Sequence, residues 1–543
     1  MATFSICGIL IFNLLAVNHS GSSYELFSIG YQLEMEGNVK GAIEYYIAAL
    51  KDDSTASELY YALANACYRI RKFDDGIEYA KQGLNFVKDS TELYGMIAAG
   101  YIAKGDLKNA INYYSMIREL KPADVSIIQT ISLLYEGLGN LNTAQQVLME
   151  IPDSLKNTEV YNRLGTIAGK SKNYAEAINY FKMALIADTT NHTALVGIGT
   201  GFDILNLKDS AIYYYERATR YDNSIDLRKR LLDLYGDTEN YEKMIKIAHE
   251  ILNTDYYDSF VRRNLGFALY KSGMLNEALS EFLISAGLNS QDDYSRFYIA
   301  RINLEQRNLD AAQRAIEEAI KINPEFIELW VYAGFIALDK KEFKNAKYYF
   351  SEAAYHNADI SQIYYLLGAT SEMDSDYTNA YFFYKKSIKL NPSSLPGLSA
   401  LANLCDRIEK KQEAFRTFEK IILFDSTDAT ALNYVGYTYA ERAESLEYAL
   451  NLVERAISIE PNNGYFIDSR GWIYYQQGDY ESALNDLKRA SELVEDAIIL
   501  EHLGDVYVKL NEIEKAIEVY QKVLTIDPQN KNIKNKLLHL KKK

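Results

Sequence analysis

The sequence contains few of the residues that break helices or cross-link a chain. Its 543 residues include only 7 prolines, 29 glycines, 3 cysteines and 2 tryptophans. So few turn-forming residues argue against an all-β protein, and three cysteines cannot build a disulfide framework or a CxxC metal or redox site. Hydrophobic residues make up 48% of the chain and charged residues 24%, which excludes a disordered chain. This composition fits a helical solenoid.

The charge balance also narrows the choice of partner. The chain has 58 basic and 74 acidic residues, which give a net charge of −16. Nucleic acid is therefore not expected as a partner, because binding a phosphate backbone needs clustered positive charge.

The N-terminus carries an apolar run with two interpretations. The first 24 residues contain no Asp, Glu, Lys or Arg, and residues 4–17 read FSICGILIFNLLAV. This run is shorter than the roughly 20 residues of a membrane span, but it matches the core of a signal peptide. It has no basic residue before it and no lipobox cysteine after it. We expect export to the periplasm or envelope, with cleavage near residues 20 to 23; the alternative is a buried N-terminal helix in a cytoplasmic protein.

A column of small residues recurs at a nearly constant spacing along almost the whole chain. Successive members are 33 to 35 positions apart, and thirteen of the fifteen are alanine. The column consists of Ala42, Gly76, Ala110, Ala144, Ala177, Ala211, Met244, Ala278, Ala312, Ala346, Ala380, Ala414, Ala449, Ala483 and Ala516. A fixed period of this length on a helical background indicates repeats that pack only on their neighbours.

Two further features keep the same period. A second column of small residues lies twelve positions before the first, and five of the seven prolines lie twelve positions after it. Together with the aromatics between them, these columns resemble the tetratricopeptide repeat, most clearly in residues 504–528. The resemblance implies an all-α fold, a right-handed superhelical solenoid of about 15 helix-turn-helix units whose helices A and B have about 12 to 14 residues each.

The repeat register predicts the domain organisation. The C-terminal segment at 529–543 places Ile533, Leu537 and Leu540 on one helical face, as expected for a basic helix that caps the final repeat. The other predicted divisions are a signal peptide or apolar segment at residues 1–22, repeats one to six at 23–224, an irregular repeat seven at 225–258, and repeats eight to fifteen at 259–528.

Repeat seven departs most from the pattern. It has Leu232 and Met244 in the two columns that are otherwise small. Larger side chains at a helix crossing hold the two helices further apart, because side-chain size sets the interaxial distance. We therefore expect the curvature of the solenoid to change at residues 225–258.

A search for catalytic chemistry finds none. The six histidines show no HxxxH or HExxH pair. Residues 165–171 (GTIAGKS) have one residue too few between the glycines for a phosphate-binding loop and fall inside a predicted helix A. Cys67 and Cys405 occupy core positions and are expected to be packing thiols. We predict no catalytic residue, no cofactor and no metal, so the protein is not expected to be an enzyme.

The resemblance also implies where a partner binds. In this family the concave groove is lined mainly by positions 2, 5, 9, 12 and 13 of helix A, counted from the first residue of each repeat. Here these positions are rich in aromatics beside two arginines, a composition typical of interaction hot spots. The predicted protein-binding groove consists of Phe260, Arg263, Phe267, Tyr270, Tyr294, Phe297, Arg301, Val331, Phe335, Tyr365, Trp472 and Tyr475. The alternative is that some of these side chains pack across adjacent A helices.

A narrower resemblance covers residues 431–527. One extra residue between Gly436 and Ala449 and the phrase IDSRGW at 467–472 are similar to the C-terminal region of bacterial envelope tetratricopeptide lipoproteins. Those proteins include the adaptor of a carboxy-terminal processing protease. The missing lipobox cysteine is a departure from that group.

These observations predict a non-enzymatic scaffold that binds an unidentified protein or peptide in its concave groove, in the bacterial cell envelope. Membrane contact is expected only through the N-terminus. An adaptor that recruits substrates to a periplasmic carboxy-terminal processing protease is one alternative. A glycan-binding or enzyme-accessory protein is another, and it would need converging acids, which only Asp226, Asp233 and Asp237 of repeat seven offer.

Overall fold

The computed structural model describes residues 21–357 and 360–540. Within these residues every long element is an α-helix, and there is no β-strand. Most of the helices have 11 to 15 residues, as the 34-residue period predicts. The all-α repeat fold is therefore confirmed. The predicted run at residues 4–17 lies outside the described residues, as do residues 541–543.

The chain divides into two compact units, and the first ends at Tyr256. Its described part contains fourteen α-helices that form seven consecutive A–B pairs, and a short 3-10 helix at Asp153–Leu155. The helices are α1 (Gly21–Met35), α2 (Val39–Asp52), α3 (Ser57–Arg69), α4 (Phe73–Gly83), α5 (Thr91–Ala103), α6 (Leu107–Leu120), α7 (Val125–Gly137), α8 (Leu141–Met149), α9 (Thr158–Lys170), α10 (Tyr174–Ala187), α11 (His192–Ile204), α12 (Lys208–Ala218), α13 (Ile225–Asp237) and α14 (Tyr241–Leu252).

The second unit begins at Tyr257 and contains eight further pairs and a final single helix among its described residues. Its helices are α15 (Ser259–Lys271), α16 (Leu275–Leu288), α17 (Asp293–Glu305), α18 (Leu309–Ile322), α19 (Ile327–Asp339), α20 (Phe343–His356), α21 (Ser361–Met373), α22 (Tyr377–Leu390), α23 (Leu395–Arg407), α24 (Lys411–Phe424), α25 (Ala429–Glu441), α26 (Leu446–Ile459), α27 (Gly464–Gln477), α28 (Tyr480–Leu493), α29 (Ala497–Lys509), α30 (Ile513–Ile526) and α31 (Lys531–Leu540).

The alanine column lies where helices A and B of a repeat cross. All thirteen alanines in it are at most 3% exposed. The facing position on helix A is often glycine, because the aromatic of helix B lies against its backbone: a Cβ at Gly334 would lie 2.4 Å from the ring of Phe350, and a Cβ at Gly368 would lie 2.4 Å from Tyr384. Small residues in both columns therefore allow the close approach of the two helices.

Short turns join helix A to helix B, and each contains a residue with positive φ. Gly105 and Gly139 take this conformation at φ 79° and 74°, while Arg307 and Lys341 adopt it at φ 62° and 60° despite their side chains. A capping residue then often starts helix B, as where Asp106 accepts a hydrogen bond from the Asn109 backbone.

Repeat seven is packed differently from its neighbours in the first unit. Leu232 and Met244 are both buried, at 0% and 1% exposure. Helices α13 and α14 pack less closely than the two helices of any other described repeat, as expected from the larger side chains at their crossing. The expected change of curvature stays a prediction.

Helix α31 lies against the last repeat. Its Ile533, Leu537 and Leu540 are buried in a cluster with side chains of α29 and α30. On its polar side Lys536 pairs with Glu501 at 2.9 Å and with Asp505 at 2.6 Å. These contacts cover the apolar face of α30 and leave a charged outer surface.

Candidate functional site

All twelve predicted groove residues lie on A helices of the second unit. Four lie on α15, three on α17, two on α19, one on α21 and two on α27. The structure gathers those of α15, α17 and α19 into one aromatic cluster around two arginines, which we call the arginine cluster. Tyr365 packs instead against Tyr384 of its own repeat, with ring centroids 6.0 Å apart.

Arg301 lies at the centre of the arginine cluster. Its guanidinium carbon lies 5.2 to 5.6 Å from the centroids of four rings, and its Nη2 donates a hydrogen bond of 3.1 Å to the Tyr270 hydroxyl. The four rings belong to Tyr270, Phe297, Tyr298 and Tyr332. Cation–π attraction to several rings holds this side chain in one position, so it organises the cluster.

Phe297 is buried within this cluster. It is only 7% exposed, and its ring lies edge-on to Tyr298 and Tyr332 at centroid distances of 5.4 and 5.0 Å. It also packs against Phe326 at 5.8 Å. Tyr298 and Tyr332 occupy position 6 of their A helices. The sequence analysis did not predict these two tyrosines, because position 6 is not one of the expected groove positions. The only signal in the sequence that could have found them is that they are aromatic.

Arg263 is the second arginine of the cluster, and it is partly exposed. Its side chain is 34% exposed, and its guanidinium lies 5.5 Å from the ring centroid of Phe260 and 5.6 Å from that of Tyr294. Its Nη1 is 4.0 Å from Asp292, a buried carboxylate that also accepts hydrogen bonds from Ser295 N and Ser285 Oγ. Because Asp292 has these other donors, Arg263 retains capacity to pair with a second acceptor.

Phe267 and Phe335 form the two edges of the arginine cluster. Phe267 is half-buried, and its ring lies 5.7 Å from Tyr298 in an edge-on arrangement. Phe335 is 37% exposed and lies edge-on to the buried Phe350 at 5.7 Å. Val331 on α19 is half-buried. Phe267 on α15 and Phe335 on α19 therefore give the cluster partly accessible apolar side chains on two of its helices.

Two tyrosines of the cluster, Tyr270 and Tyr294, stay protonated at neutral pH. Burial, together with a hydrogen bond that Tyr270 donates to Glu305, raises the pKa of Tyr270 to about 12. Burial is also the main cause that raises the pKa of Tyr294, with Tyr298 beside it as a second cause. The hydroxyl groups therefore remain hydrogen-bond donors.

Trp472 and Tyr475 belong to a separate stack on α27 and α29. The Trp472 ring is sandwiched between Tyr475 at 4.6 Å and His502 at 4.1 Å, with interplanar angles of 7° and 18°. His502 is buried, and its Nδ1 lies 2.9 Å from Asp468. Sequence reasoning missed the His502–Asp468 pair, since the two residues lie 34 positions apart and only repeat stacking brings them together.

The described residues offer little for catalysis. They contain no group of three or more His, Cys, Asp or Glu side chains arranged to hold a metal ion. Burial raises the pKa of both Cys67 and Cys405 to about 11, so these thiols are protonated at neutral pH. Two of the three acids predicted in repeat seven pair with basic neighbours: Asp233 lies 3.8 Å from Arg230, and Asp237 lies 3.0 Å from Lys208.

The fold and this surface define a helical repeat protein, and comparison with known proteins gives the family. One family model described as tetratricopeptide repeat matches residues 35–88 and 469–531, and a second of the same description matches residues 158–188 and 295–326. The chain is therefore a tetratricopeptide repeat protein.

Two relatives and one solved structure illustrate the similarity. A TPR repeat-containing protein of Methanocaldococcus jannaschii is 22% identical over 519 residues, which are 93% of this chain and 76% of that protein. A TPR repeat-containing protein of Pseudomonas aeruginosa is 24% identical over 216 residues, or 39% of this chain, and the match spans only 36% of that protein. The C-terminal part of a TPR repeat-containing protein from Cytophaga hutchinsonii is 16% identical, with a TM-score of 0.41, and the alignment covers 44% of this chain and 98% of that one.

Proposed function

We propose that this protein is a scaffold that binds a segment of another protein across helices α15, α17 and α19. The observation that supports the proposal is the arginine cluster, in which a partly exposed arginine and two partly exposed phenylalanines lie on the same helices as a set of buried, closely packed rings. Arg263 and Phe335 retain 34% and 37% exposure, whereas Phe297 is almost fully buried. The contact residues in this proposal are therefore Arg263, Phe267 and Phe335.

The arrangement favours binding for two physical reasons. Side chains that are already held in place lose little conformational freedom when a partner docks, which lowers the entropic cost of binding. Aromatic residues and arginine are also the types that dominate binding energy at protein interfaces. A guanidinium pairs well with a carboxylate, so the partner segment is expected to carry an acidic group next to an apolar side chain.

We also propose that the protein is not an enzyme. The neutral buried thiols and the pairing of Asp233 and Asp237 with basic side chains support it. Export and recruitment of substrates to a carboxy-terminal processing protease stay predictions. Among the described residues, no helix has the length and apolar character needed to cross a membrane.

The test is quantitative affinity capture with the tagged full-length chain, followed by measurement of the dissociation constant for each purified partner. The test variant is Arg263→Ala with Phe335→Ala. The matched control is Arg314→Ala with Phe382→Ala, which removes one exposed arginine and one exposed phenylalanine from helices B. We expect the test variant to weaken binding by about 30-fold or more, equivalent to about 2 kcal/mol, and the control to leave it unchanged. Equal affinity of both variants would overturn the proposal.

A further inference from the structure

Two exposed positions of helix B carry an unusual set of side chains in four consecutive repeats of the second unit. They lie two and nine residues after the alanine of the helix crossing on α18, α20, α22 and α24. Seven residues make about two helical turns, so the two positions lie on one face of each helix. All eight side chains are exposed, and we call them the basic–aromatic face. They are Arg314, Lys321, Tyr348, Tyr355, Phe382, Lys389, Arg416 and Leu423.

The same two positions have a different composition in the other four repeats of the second unit. There they hold no basic and no aromatic residue, although they are equally exposed. The residues are Ser280 and Gly287 on α16, Asn451 and Ser458 on α26, Asn485 and Glu492 on α28, and Glu518 and Thr525 on α30. All eight repeats have the same helix pairing, so repeat packing does not require the basic–aromatic face.

The cations of this face are available to an external anion. Among the described residues none of the four forms an ion pair, although the chain has 74 acidic and 58 basic residues. They are Arg314, Lys321, Lys389 and Arg416. An unpaired cation can bind an anionic group without first giving up an internal partner.

The acids near the face do not cancel its charge. Helix α22 has no acidic residue. Three of the six acids on the other three helices are in ion pairs, namely Asp310 with Lys340, Glu318 with Arg296 and Glu413 with Lys385. The remaining three, Glu317, Glu352 and Glu419, are partly buried. The face therefore presents positive charge on a protein that is acidic as a whole.

The apolar members of the face stand out from the helix surface. Tyr355 and Leu423 are 82% and 81% exposed, and the other two aromatics are more than half exposed. Peptide anchors and single-stranded nucleic acid bind in pockets or grooves, which side chains so exposed do not form. A lipid surface needs no groove, because apolar side chains enter between the headgroups while Lys and Arg keep their charges at the lipid phosphates.

We propose that the basic–aromatic face docks the second unit on an anionic lipid surface. Tyr355, Phe382 and Leu423 enter the interfacial layer, and the four cations pair with lipid phosphates. The contact is peripheral and adds to the membrane contact that the sequence predicts at the N-terminus. It is independent of the partner-binding surface, which lies on α15, α17 and α19.

The test is co-sedimentation of the full-length chain with vesicles of phosphatidylcholine and phosphatidylglycerol, and with vesicles of phosphatidylcholine alone. The charge variant combines Arg314→Gln, Lys321→Gln, Lys389→Gln and Arg416→Gln. The matched control removes the same charge from exposed positions on helices B of repeats fourteen and fifteen, by Lys488→Gln, Arg489→Gln, Lys515→Gln and Lys522→Gln. A third variant, Tyr355→Ser with Leu423→Ser, removes the two most exposed apolar side chains. Melting temperatures establish that each variant folds.

We expect the unaltered chain to bind the phosphatidylglycerol vesicles and to release them at high salt, which screens the charges. The charge variant should bind about 30-fold more weakly or less, and the matched control should bind like the unaltered chain. The Tyr355→Ser and Leu423→Ser variant should also bind more weakly, because two apolar side chains no longer enter the interface.

Three outcomes would overturn the proposal. The first is that the unaltered chain does not bind phosphatidylglycerol vesicles. The second is that the charge variant and the matched control bind equally, as they would if the N-terminus alone made the contact. The third is that the charge variant loses affinity for soluble poly-L-glutamate but not for vesicles, which would indicate an acidic protein partner. The Arg263→Ala and Phe335→Ala variant should keep full vesicle binding, which separates this proposal from the partner-binding surface.

Discussion

The hydroxyl group of Tyr384 on α22 donates a hydrogen bond of 2.9 Å to Oε2 of Glu372 on α21. Arg407, at the end of α23 in the next repeat, pairs with Oε1 of the same carboxylate at 3.1 Å. The same arrangement of tyrosine, acid and base recurs as Tyr46–Glu34–Arg69, Tyr215–Asp203–Arg230 and Tyr520–Asp505–Lys536. It satisfies the polar atom of a buried aromatic and links each of these repeats to the helix that follows.

Replacing Tyr384 by Phe should therefore destabilise the protein. The change leaves the ring in place and removes one buried hydrogen bond to a charged acceptor, so we expect a loss of about 1 to 2 kcal/mol in the free energy of unfolding. Urea unfolding followed by circular dichroism measures this. Tyr348→Phe is the control, because Tyr348 is 55% exposed and should change stability by less than about 0.5 kcal/mol. Equal losses in the two variants would show that the hydroxyl of Tyr384 contributes nothing specific.

Alkaline pH should weaken the fold through its buried tyrosines. Burial raises the pKa of Tyr384, Tyr46 and Tyr520, and raises that of Tyr349 to about 12. Tyrosines of the unfolded chain ionise near pH 10, so above that pH the unfolded state binds fewer protons than the folded state and stability falls as pH rises. Each retained proton contributes a slope of about 1.4 kcal/mol per pH unit.

The measurement is the melting temperature between about pH 8 and pH 11, together with the near-ultraviolet absorbance of tyrosinate. We expect a steep drop in melting temperature above about pH 10, and tyrosinate signal that develops mainly on unfolding. A melting temperature that stays constant over this range would contradict the role assigned to burial.

Ala346→Leu tests the helix crossing. Ala346 is fully buried at the crossing of α19 and α20, so an added isobutyl group overpacks the site and should cost about 1 to 3 kcal/mol of stability. Thermal or urea unfolding measures the loss. A change of only a few tenths of a kcal/mol would mean that this column does not mark the close approach of the two helices.

Two Gly→Ala substitutions should have opposite effects. A Cβ at Gly334 meets the Phe350 ring at 2.4 Å, so Gly334→Ala should destabilise by about 1 to 3 kcal/mol. Gly287 on α16 has nothing within 4 Å of that position, so Gly287→Ala should stabilise the helix by up to about 1 kcal/mol. Unfolding midpoints of the two variants give the comparison, and stabilisation by both would refute the close contact at Gly334.

Alanine substitutions of Phe297 and Phe335 should have different effects, one mainly on stability and the other mainly on partner binding. Phe297→Ala removes a ring that is 7% exposed and should cost about 3 to 5 kcal/mol of stability. Phe335→Ala removes a ring that is 37% exposed, so the stability loss should be smaller and the main effect should be weaker partner binding. Melting temperature and dissociation constant, measured on both variants, distinguish these outcomes. The assignment of Phe335 to the interface fails if its truncation leaves partner affinity unchanged.

The sequence predicts which helices hold the candidate surface, but not which of its side chains are buried and which are accessible. The repeat register places Arg263 and Phe267 on one helix A and Phe335 on another, because the helical period fixes which residues share a face. The sequence does not distinguish Phe297 from Phe335, although one is buried and the other accessible. That difference depends on Tyr298, Phe326 and Tyr332, whose rings reach Phe297 from within its own helix and from the next repeat.

The sequence by itself determined the repeat, since a 34-residue spacing of small and aromatic residues permits only helices that cross closely and stack on their neighbours. It thereby determined the all-α fold and the helices on which each side chain lies. Only the tertiary structure decided which polar groups are paired and which rings remain accessible. Contacts such as Arg301 with Tyr270 and His502 with Asp468 join residues about one repeat apart. Their geometry depends on how each pair of helices tilts against the next, and local sequence does not set that tilt.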